Sequence, residues 1–171
     1  MIRAGATLMT CDIITSDIIP AFTATVYNLS KFIVIPGWLL LAASLFLPGW
    51  RPIIWKLTQF VCPALLCILY LVMVWDGRHG FDSYGLKTFF ALEGVSCLYR
   101  NFSALNAGWL HFLALDLFAA TCIVRDGLER GMPRLLLFVL LPLIMMLAPA
   151  GLLLYIILRF AIRPRPAAAA A

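Results

Sequence analysis

Long uninterrupted runs of apolar residues dominate the chain, and short clusters of charge separate them. Four runs are long enough to cross a bilayer, because a hydrocarbon core of about 30 Å takes roughly 17–25 apolar residues in a helix. They cover residues 32–50, 57–75, 101–124 and 135–158. The runs are too long and too continuously apolar for the alternating strands of a membrane barrel, so they predict helices.

The third run differs from the others because it carries His111 and Asp116. An Asp at the centre of a membrane helix costs about 2.5–3.5 kcal/mol on insertion scales, which the surrounding leucines offset. The pattern therefore predicts an all-α integral membrane protein with four transmembrane helices. A four-helix transmembrane domain would occupy residues 26–160, between an N-terminal extension (1–25) and a C-terminal tail (161–171).

The stretch between the second and third runs, residues 76–100, mixes charged residues with phenylalanine and leucine. This mixture favours an interfacial segment between helices 2 and 3, lying along the membrane surface. A solvated loop with scattered charges is the alternative.

Composition supports a lipid environment and excludes other classes. Hydrophobic residues make up 64% of the chain and charged residues 12%, against about half and a quarter in soluble domains. The net charge of +5 fits membrane topology, and no basic run with interleaved aromatics indicates nucleic acid. With four spans, eight Lys and Arg lie on the side of the termini and five on the other, which predicts both termini in the cytoplasm or its equivalent.

Candidate chemistry concentrates in the third run. His111 and Asp116 are separated by about 140° and about 7.5 Å on a helix, so each needs a partner from another segment. An ionisable residue inside a span is a functional-site hypothesis; the alternative is that both only hold helices together through hydrogen bonds. No metal site is expected, because the cysteines form no CxxC pair and a bis-histidine haem lacks its second ligand. A single imidazole on a chlorophyll-type pigment stays open.

Several motifs resemble one family. Residues 108–118, GWLHFLALDLF, resemble the Trp-Ile-His-x-Leu-x-x-Asp-Leu-Phe signature of the abscisic-acid-deficient, neoxanthin-synthesis membrane proteins of plants and their bacterial relatives. Residues 125–128, RDGL, follow at the family's usual distance. Residues 149–155, PAGLLLY, look like a further motif, with Ala148 where glycine is common. Residues 26–29, 36–41 and 92–95 are also similar to family motifs.

The resemblance implies a function in carotenoid chemistry. Plant members are implicated in converting violaxanthin to neoxanthin, an isomerisation of an epoxide to an allene. That reaction needs an acid at the epoxide oxygen and a base for a C–H proton, and no redox cofactor. By resemblance, His111, Asp116 and Glu93 are the candidates for these catalytic roles, and a bound carotenoid is the expected ligand.

Two functions from different classes follow. A membrane enzyme or carrier for a carotenoid or related isoprenoid would have an apolar cleft on which His111, Asp116 and Glu93 converge. A non-catalytic accessory subunit of a larger membrane complex, such as a photosynthetic pigment–protein assembly, would use His111 and Asp116 in structural hydrogen bonds and meet other subunits through apolar faces. A small transporter would need oligomerisation, because four short helices enclose little volume.

Overall fold

The computed structural model describes residues 19–78 and 89–162, and the regular elements within these ranges are all helical, which confirms the all-α prediction. The predicted N-terminal extension up to residue 18, residues 79–88 of the predicted interfacial segment and the predicted tail from residue 163 lie outside the described residues. The α-helices are α1 (Ala21–Ser44), α2 (Arg51–Lys56), α3 (Cys62–Asp76), α4 (Leu92–Leu98), α5 (Phe102–Glu129), α6 (Arg134–Met146) and α7 (Ala148–Ala161).

Three helical segments of the described chain are long and apolar enough to cross a membrane. They are α1, the continuous rod Pro48–Asp76 that contains α2 and α3, and α5. With 24, 29 and 28 residues, they reach about 36–44 Å, more than the thickness of the hydrocarbon core. The protein is therefore an integral membrane protein by the length and composition of these helices, whereas four spans are not confirmed.

The predicted bounds of the first span, residues 32–50, are wrong. Helix α1 begins at Ala21 and ends at Ser44, and the chain reverses over residues 45–47. Lys31 does not end the helix, because its ammonium group stays at the surface, 2.9 Å from Asn28 Oδ1. At the other end, the Arg51 guanidinium donates to the Ser44 carbonyl at 2.9 Å and so caps the helix.

The second predicted span begins earlier than residue 57, because the rod that starts at Pro48 continues through a π-helical turn at Leu57–Val61. Pro63 follows that turn and has no N–H to donate, and its ring crowds the preceding turn. A π-helical turn is one way for a helix to absorb such a disruption. The Thr121 hydroxyl donates to the Thr58 hydroxyl at 3.0 Å and joins this turn to α5.

Helix α5 has defined signals at both ends. Asn101 Oδ1 accepts the backbone N–H groups of Ser103 and Ala104 at 2.9 and 3.2 Å, as a helix N-cap does. After Glu129, Gly131 adopts a φ of 74°, and the Met132 N–H donates to the Gly127 carbonyl at 2.9 Å. This is a Schellman motif, and it ends α5 before Pro133.

The structure does not contain a single fourth span over residues 135–158. Helix α6 ends at Met146, and Leu147, with φ −139° and ψ 64°, separates it from α7. Arg159 near the end of α7 lies 3.0 Å from Asp126 near the end of α5, and α6 starts only four residues after Arg130. Helices α6 and α7 therefore run in opposite directions and form a helical hairpin.

The tip of this hairpin lies part-way along the bundle. Helices α6 and α7 have 13 and 14 residues, or about 20 Å each, too short to cross the hydrocarbon core alone. Gly151 permits close contact between them, because a Cβ there would lie 2.9 Å from the Ile144 backbone. The break at Leu147, two residues before Pro149, follows from the loss of a backbone donor at the proline.

The buried core joins α1, α5 and the hairpin. Leu41 from α1, Leu45 directly after it, Leu117 from α5, and Leu137 and Ile144 from α6 are almost fully buried in one cluster. A second cluster packs α3 against α1 and α5. Helix α4 lies in the described part of the predicted interfacial segment and is seven residues long, and its position in the interface stays a prediction.

Candidate functional site

Two apolar clefts lie on either side of Trp109, which lines both. The tip cleft, of about 660 Å³, is enclosed by α1, α5 and residues 145–149 at the tip of the hairpin. The N-terminal cleft, of about 390 Å³, is enclosed by the first turns of α1 and α5. From Phe102 in one cleft to Asp116 in the other, α5 rises about 21 Å, so the two clefts together follow an elongated path along the bundle.

Asp116 brings a carboxyl group to the tip cleft. It is half-buried and lines the cleft with Trp38 and with Leu147 of the hairpin tip. No hydrogen bond to its carboxylate occurs within residues 19–78 and 89–162. An acidic side chain at membrane depth is costly unless it has a partner, so this group is available to a ligand or to water.

Trp38 contributes a buried donor to the same cleft. Its side chain is 8% exposed, and its indole Nε1–H has no hydrogen-bond partner among the described residues. A buried donor left unpaired costs about 1–3 kcal/mol, and an indole N–H inside a protein usually has an acceptor. Because this nitrogen atom is buried even when the cleft is empty, the polar side-chain group of the cleft that a ligand can reach is the Asp116 carboxyl.

The backbone at the hairpin tip adds further polar groups. The first N–H groups of a helix have no acceptor within that helix, and those of α7 begin at Ala148, which lines the tip cleft. Pro149 contributes no donor. Helix N-termini carry a partial positive charge, so this end of α7 favours oxygen atoms with negative character.

In the N-terminal cleft, Asn106 is the side chain that has a buried polar atom without a partner. Its Nδ2 group donates to the Thr23 carbonyl and to Met73 Sδ, both at 3.2 Å. Its Oδ1 atom is buried without a donor in the described part of the chain. The wall of the N-terminal cleft thus contains a buried acceptor without a donor, whereas the tip cleft has the Asp116 carboxyl within reach of a ligand.

The structure does not bring the three sequence-predicted site residues to one cleft. His111 is exposed, with its ring 6.0 Å from that of Tyr70 on α3. Glu93 is exposed on α4, and neither residue lines the tip cleft or the N-terminal cleft. Of the three, only Asp116 lines either cleft, and the catalytic assignment of all three stays a prediction.

A separate polar cluster fixes the hairpin to α5. Asp126 Oδ2 accepts from the Tyr155 hydroxyl, from Arg130 Nε at 2.8 Å and from Arg159 Nε at 3.0 Å. The i,i+4 pair of Asp126 and Arg130 agrees with the spacing on a continued third helix. Sequence reasoning did not predict the bond between Tyr155 and Asp126, although motifs quoted for the family resemblance contain both residues.

Within the described ranges, no group of three His, Cys, Asp or Glu side chains is arranged to hold a metal ion. The groups within reach of a ligand are instead the isolated Asp116 carboxyl and the apolar side chains of the two clefts. Such a set suits an apolar molecule with few oxygen atoms.

Comparison with known proteins gives one family. The family model described as ABA4-like, ABA DEFICIENT 4-like, matches residues 25–155, which is more than half of the chain. The match includes both clefts apart from Ile19, Thr23 and Ala24, and it includes Tyr155 of the hairpin. No curated protein and no solved structure matches the chain.

Proposed function

Since the chain belongs to the ABA DEFICIENT 4-like family, we propose that it binds a carotenoid or related isoprenoid within the bilayer and isomerises it. Membership suggests a membrane protein related to neoxanthin synthesis. The observation that carries the proposal is the pair of apolar clefts along α1 and α5, in which Asp116 is a half-buried carboxyl group without a hydrogen bond in the described chain.

The shape and lining of the clefts support an elongated apolar ligand. Aromatic and aliphatic side chains dominate both linings, and Trp109 stands between them. Ligand sites of this kind combine an apolar wall with a few placed polar groups. A polyene chain would pass Trp109, with one end group in the tip cleft beside Asp116.

The available carboxyl group argues against a purely structural role for the third span. Residues that only hold helices together would be hydrogen-bonded to neighbouring helices. Neither His111 nor Asp116 makes such a bond within residues 19–78 and 89–162, whereas Thr121 and Asp126 on the same helix do. This contrast favours a ligand-binding protein over an accessory subunit.

Asp116 supplies the proton transfers that the isomerisation of an epoxide to an allene requires. Its carboxylic acid protonates the epoxide oxygen, and the C–O bond opens with its electron pair on the oxygen. The resulting carboxylate removes a proton from the adjacent chain carbon, and the C–H electron pair becomes the second double bond of the allene. The product is an isomer of the substrate, and the carboxyl group is restored without a redox cofactor.

Binding is tested by expressing the protein in carotenoid-producing cells and recording absorption spectra after purification in mild detergent. We expect a bound carotenoid in the wild type and its loss in Ala24→Trp, which fills the N-terminal cleft. Leu29→Trp, on the exposed face of the same helix, is the matched control. Equal pigment in both variants, or stable co-purification with a large complex and no pigment, would contradict the proposal.

Turnover is tested on an epoxy-carotenoid with chromatographic analysis of the products. Wild-type protein should give an allenic isomer of unchanged mass, and Asp116→Asn should bind the substrate without converting it. Conversion by Asp116→Asn at the wild-type rate would remove the catalytic role of Asp116.

A further inference from the structure

Two arginine side chains lie near each other at the end of the bundle where α1 is followed by the rod and α6 begins. The Arg51 guanidinium donates from Nε to the Ser44 carbonyl at 2.9 Å and from Nη2 to the Leu45 carbonyl at 3.2 Å. Arg134 is the first residue of α6 and is exposed, and its positive charge is close enough to act on Arg51. Two like charges are therefore brought together at this place.

Neither guanidinium has a carboxylate partner within the described ranges. Arg51 binds only neutral carbonyl groups there, which hold the side chain in place and leave its Nη1 group without a hydrogen bond. Of the two acids near the end of α5, Asp126 is paired with Arg130 and Arg159. The other, Glu129, forms no ion pair with any described residue. Two cations without an acid between them favour an anion from outside the chain.

An exposed apolar strip of α6 begins at these arginines. Phe138 and Met145 follow Arg134 by four and eleven residues, which places all three within about 40° of one another on the helix. Phe138 is 43% exposed and Met145 41%. The Phe138 ring packs edge-on against that of Phe46, in the turn after α1, with 5.9 Å between the ring centroids. The strip and the turn therefore form one continuous apolar surface beside the two cations.

The length of this strip matches one leaflet of a bilayer. From Arg134 to Met145, α6 rises about 17 Å, whereas one leaflet contributes about 15 Å of the hydrocarbon core. The strip ends at the tip cleft, which Met145 lines together with Ile35 and Leu39 of α1. Trp50, at the same end of the bundle as Arg134, is 63% exposed, and tryptophan is enriched at the depth of lipid headgroups. The surface thus has a charged end at headgroup depth and an apolar length below it.

We propose that Arg51 and Arg134 bind the phosphate of an anionic phospholipid whose acyl chain lies along the apolar strip of α6, over Phe46 and Phe138. Guanidinium groups suit this ligand, because their N–H donors match the geometry of phosphate oxygens. Basic residues at the membrane surface also attract the anionic lipids of the cytoplasmic leaflet. The bound lipid joins the turn after α1 to the start of α6 and so holds the hairpin against α1. This role does not depend on whether the clefts bind a carotenoid.

Native mass spectrometry of the purified full chain in detergent counts the lipids that stay bound and gives their Kd. The probes are phosphatidylglycerol and phosphatidylcholine with the same acyl chains. The wild type should bind one phosphatidylglycerol about tenfold more tightly than phosphatidylcholine, in which the choline group offsets the phosphate charge. A tenfold difference is the lower end of what a hydrogen bond to a charged group contributes, and partial exposure of the arginines to solvent weakens the effect.

Two variants separate the proposed contact from general charge attraction. Arg134→Gln should remove the preference for phosphatidylglycerol, and its core should stay intact because this side chain is exposed. Lys56→Gln is the matched control, since it removes an exposed positive charge from the same end of the bundle. Lys56 lies five residues after Arg51, about 140° around the rod, so this variant should keep the wild-type preference.

Equal Kd values for the two lipids in the wild type would overturn the proposal, and so would an unchanged preference in Arg134→Gln. An equal loss in Lys56→Gln would show attraction by the summed charge of this end and no defined site. Inorganic phosphate in large excess should leave the lipid bound, because it lacks the acyl chain that the strip holds. Displacement by inorganic phosphate would show that the arginines bind free phosphate, and the lipid would be excluded.

Discussion

Asp126 is the residue on which the position of the hairpin depends most directly. It lies in the last turns of α5 and accepts hydrogen bonds from Tyr155 and Arg159 of α7 as well as from Arg130. Tyr155 is 5% exposed, so its hydroxyl group is largely removed from solvent. Arg159 lies at the surface, where ion pairs add little to stability.

We predict that Tyr155→Phe destabilises the protein by about 1.5–3 kcal/mol, the usual worth of a hydrogen bond to a charged group. The change leaves Asp126 with its two arginines but removes the hydrogen bond that it accepts from the buried face of α7. Thermal unfolding in detergent measures the effect. Tyr27→Phe, at an exposed tyrosine, should leave the midpoint unchanged, and equal midpoints for both variants would contradict the prediction.

A second prediction concerns His111 and Glu93, which lie outside both clefts, whereas Asp116 lines the tip cleft. His111→Phe and Glu93→Gln should retain most of the conversion of an epoxy-carotenoid, because neither side chain lines the space for a ligand. Product analysis under single-turnover conditions measures this. A loss in either variant as deep as in Asp116→Asn would restore the three-residue catalytic group that the family resemblance implies.

The hairpin of α6 and α7 depends on close packing between its two helices. Its two helices meet where Gly151 faces Ile144, and a Cβ at Gly151 would lie 2.9 Å from both the backbone N and the Cα of Ile144. Backbone atoms cannot move aside as the end of a flexible side chain can. The hairpin therefore requires glycine at this position for steric reasons.

We predict that Gly151→Ala forces α6 and α7 apart and costs about 1–3 kcal/mol, as overpacking in a filled interior does. The thermal midpoint in detergent should fall, and any carotenoid bound in the tip cleft should be lost, because residues 145–149 form part of its wall. Gly49→Ala is the matched control, since a Cβ there meets nothing within 4 Å. A midpoint equal to that of Gly49→Ala would show that the hairpin tolerates the methyl group.

At the scale of the whole molecule, the hairpin changes the expected topology. The chain runs along the bundle three times and then forms a hairpin that returns to the end of the bundle where the hairpin began. The first and last described residues therefore lie at opposite ends of the bundle. Described Lys and Arg residues are unequally divided between these ends. Six lie toward the loop that joins α5 and α6 (Arg51, Lys56, Arg125, Arg130, Arg134, Arg159), and three lie toward the other end (Lys31, Arg78, Arg100).

We therefore expect the end with six charges to face the cytoplasm or its equivalent, and the start of α1 to face the opposite side. This differs from the sequence prediction of both termini on one side, which depended on a fourth span. Arg134→Cys and Phe160→Cys should react with a membrane-impermeant thiol reagent from the same side of sealed vesicles, with the wild type as background. Labelling from opposite sides would show that residues 134–161 cross the membrane.

The sequence by itself determined the class of the protein, the start of α5 and the family, whereas α5 continues to Glu129, beyond the predicted end of the third run at residue 124. A backbone in lipid must satisfy its own hydrogen bonds, so long apolar runs leave little choice but helices, and capping residues such as Asn101 and Gly131 act locally. The i,i+4 pair of Asp126 and Arg130 was predictable for the same reason, since it depends on a single helix.

Only the tertiary structure decided the hairpin and the composition of the clefts. The run over residues 135–158 is apolar throughout, and hydropathy does not distinguish one long helix from two short ones that fold back at Leu147. The contacts of Asp126 with Tyr155, and the shared lining of Trp38, Asp116 and residues 145–149, join segments far apart in the chain. Such contacts depend on how helices pack against one another, and no local pattern specifies which polar side chains then lie in the same cleft.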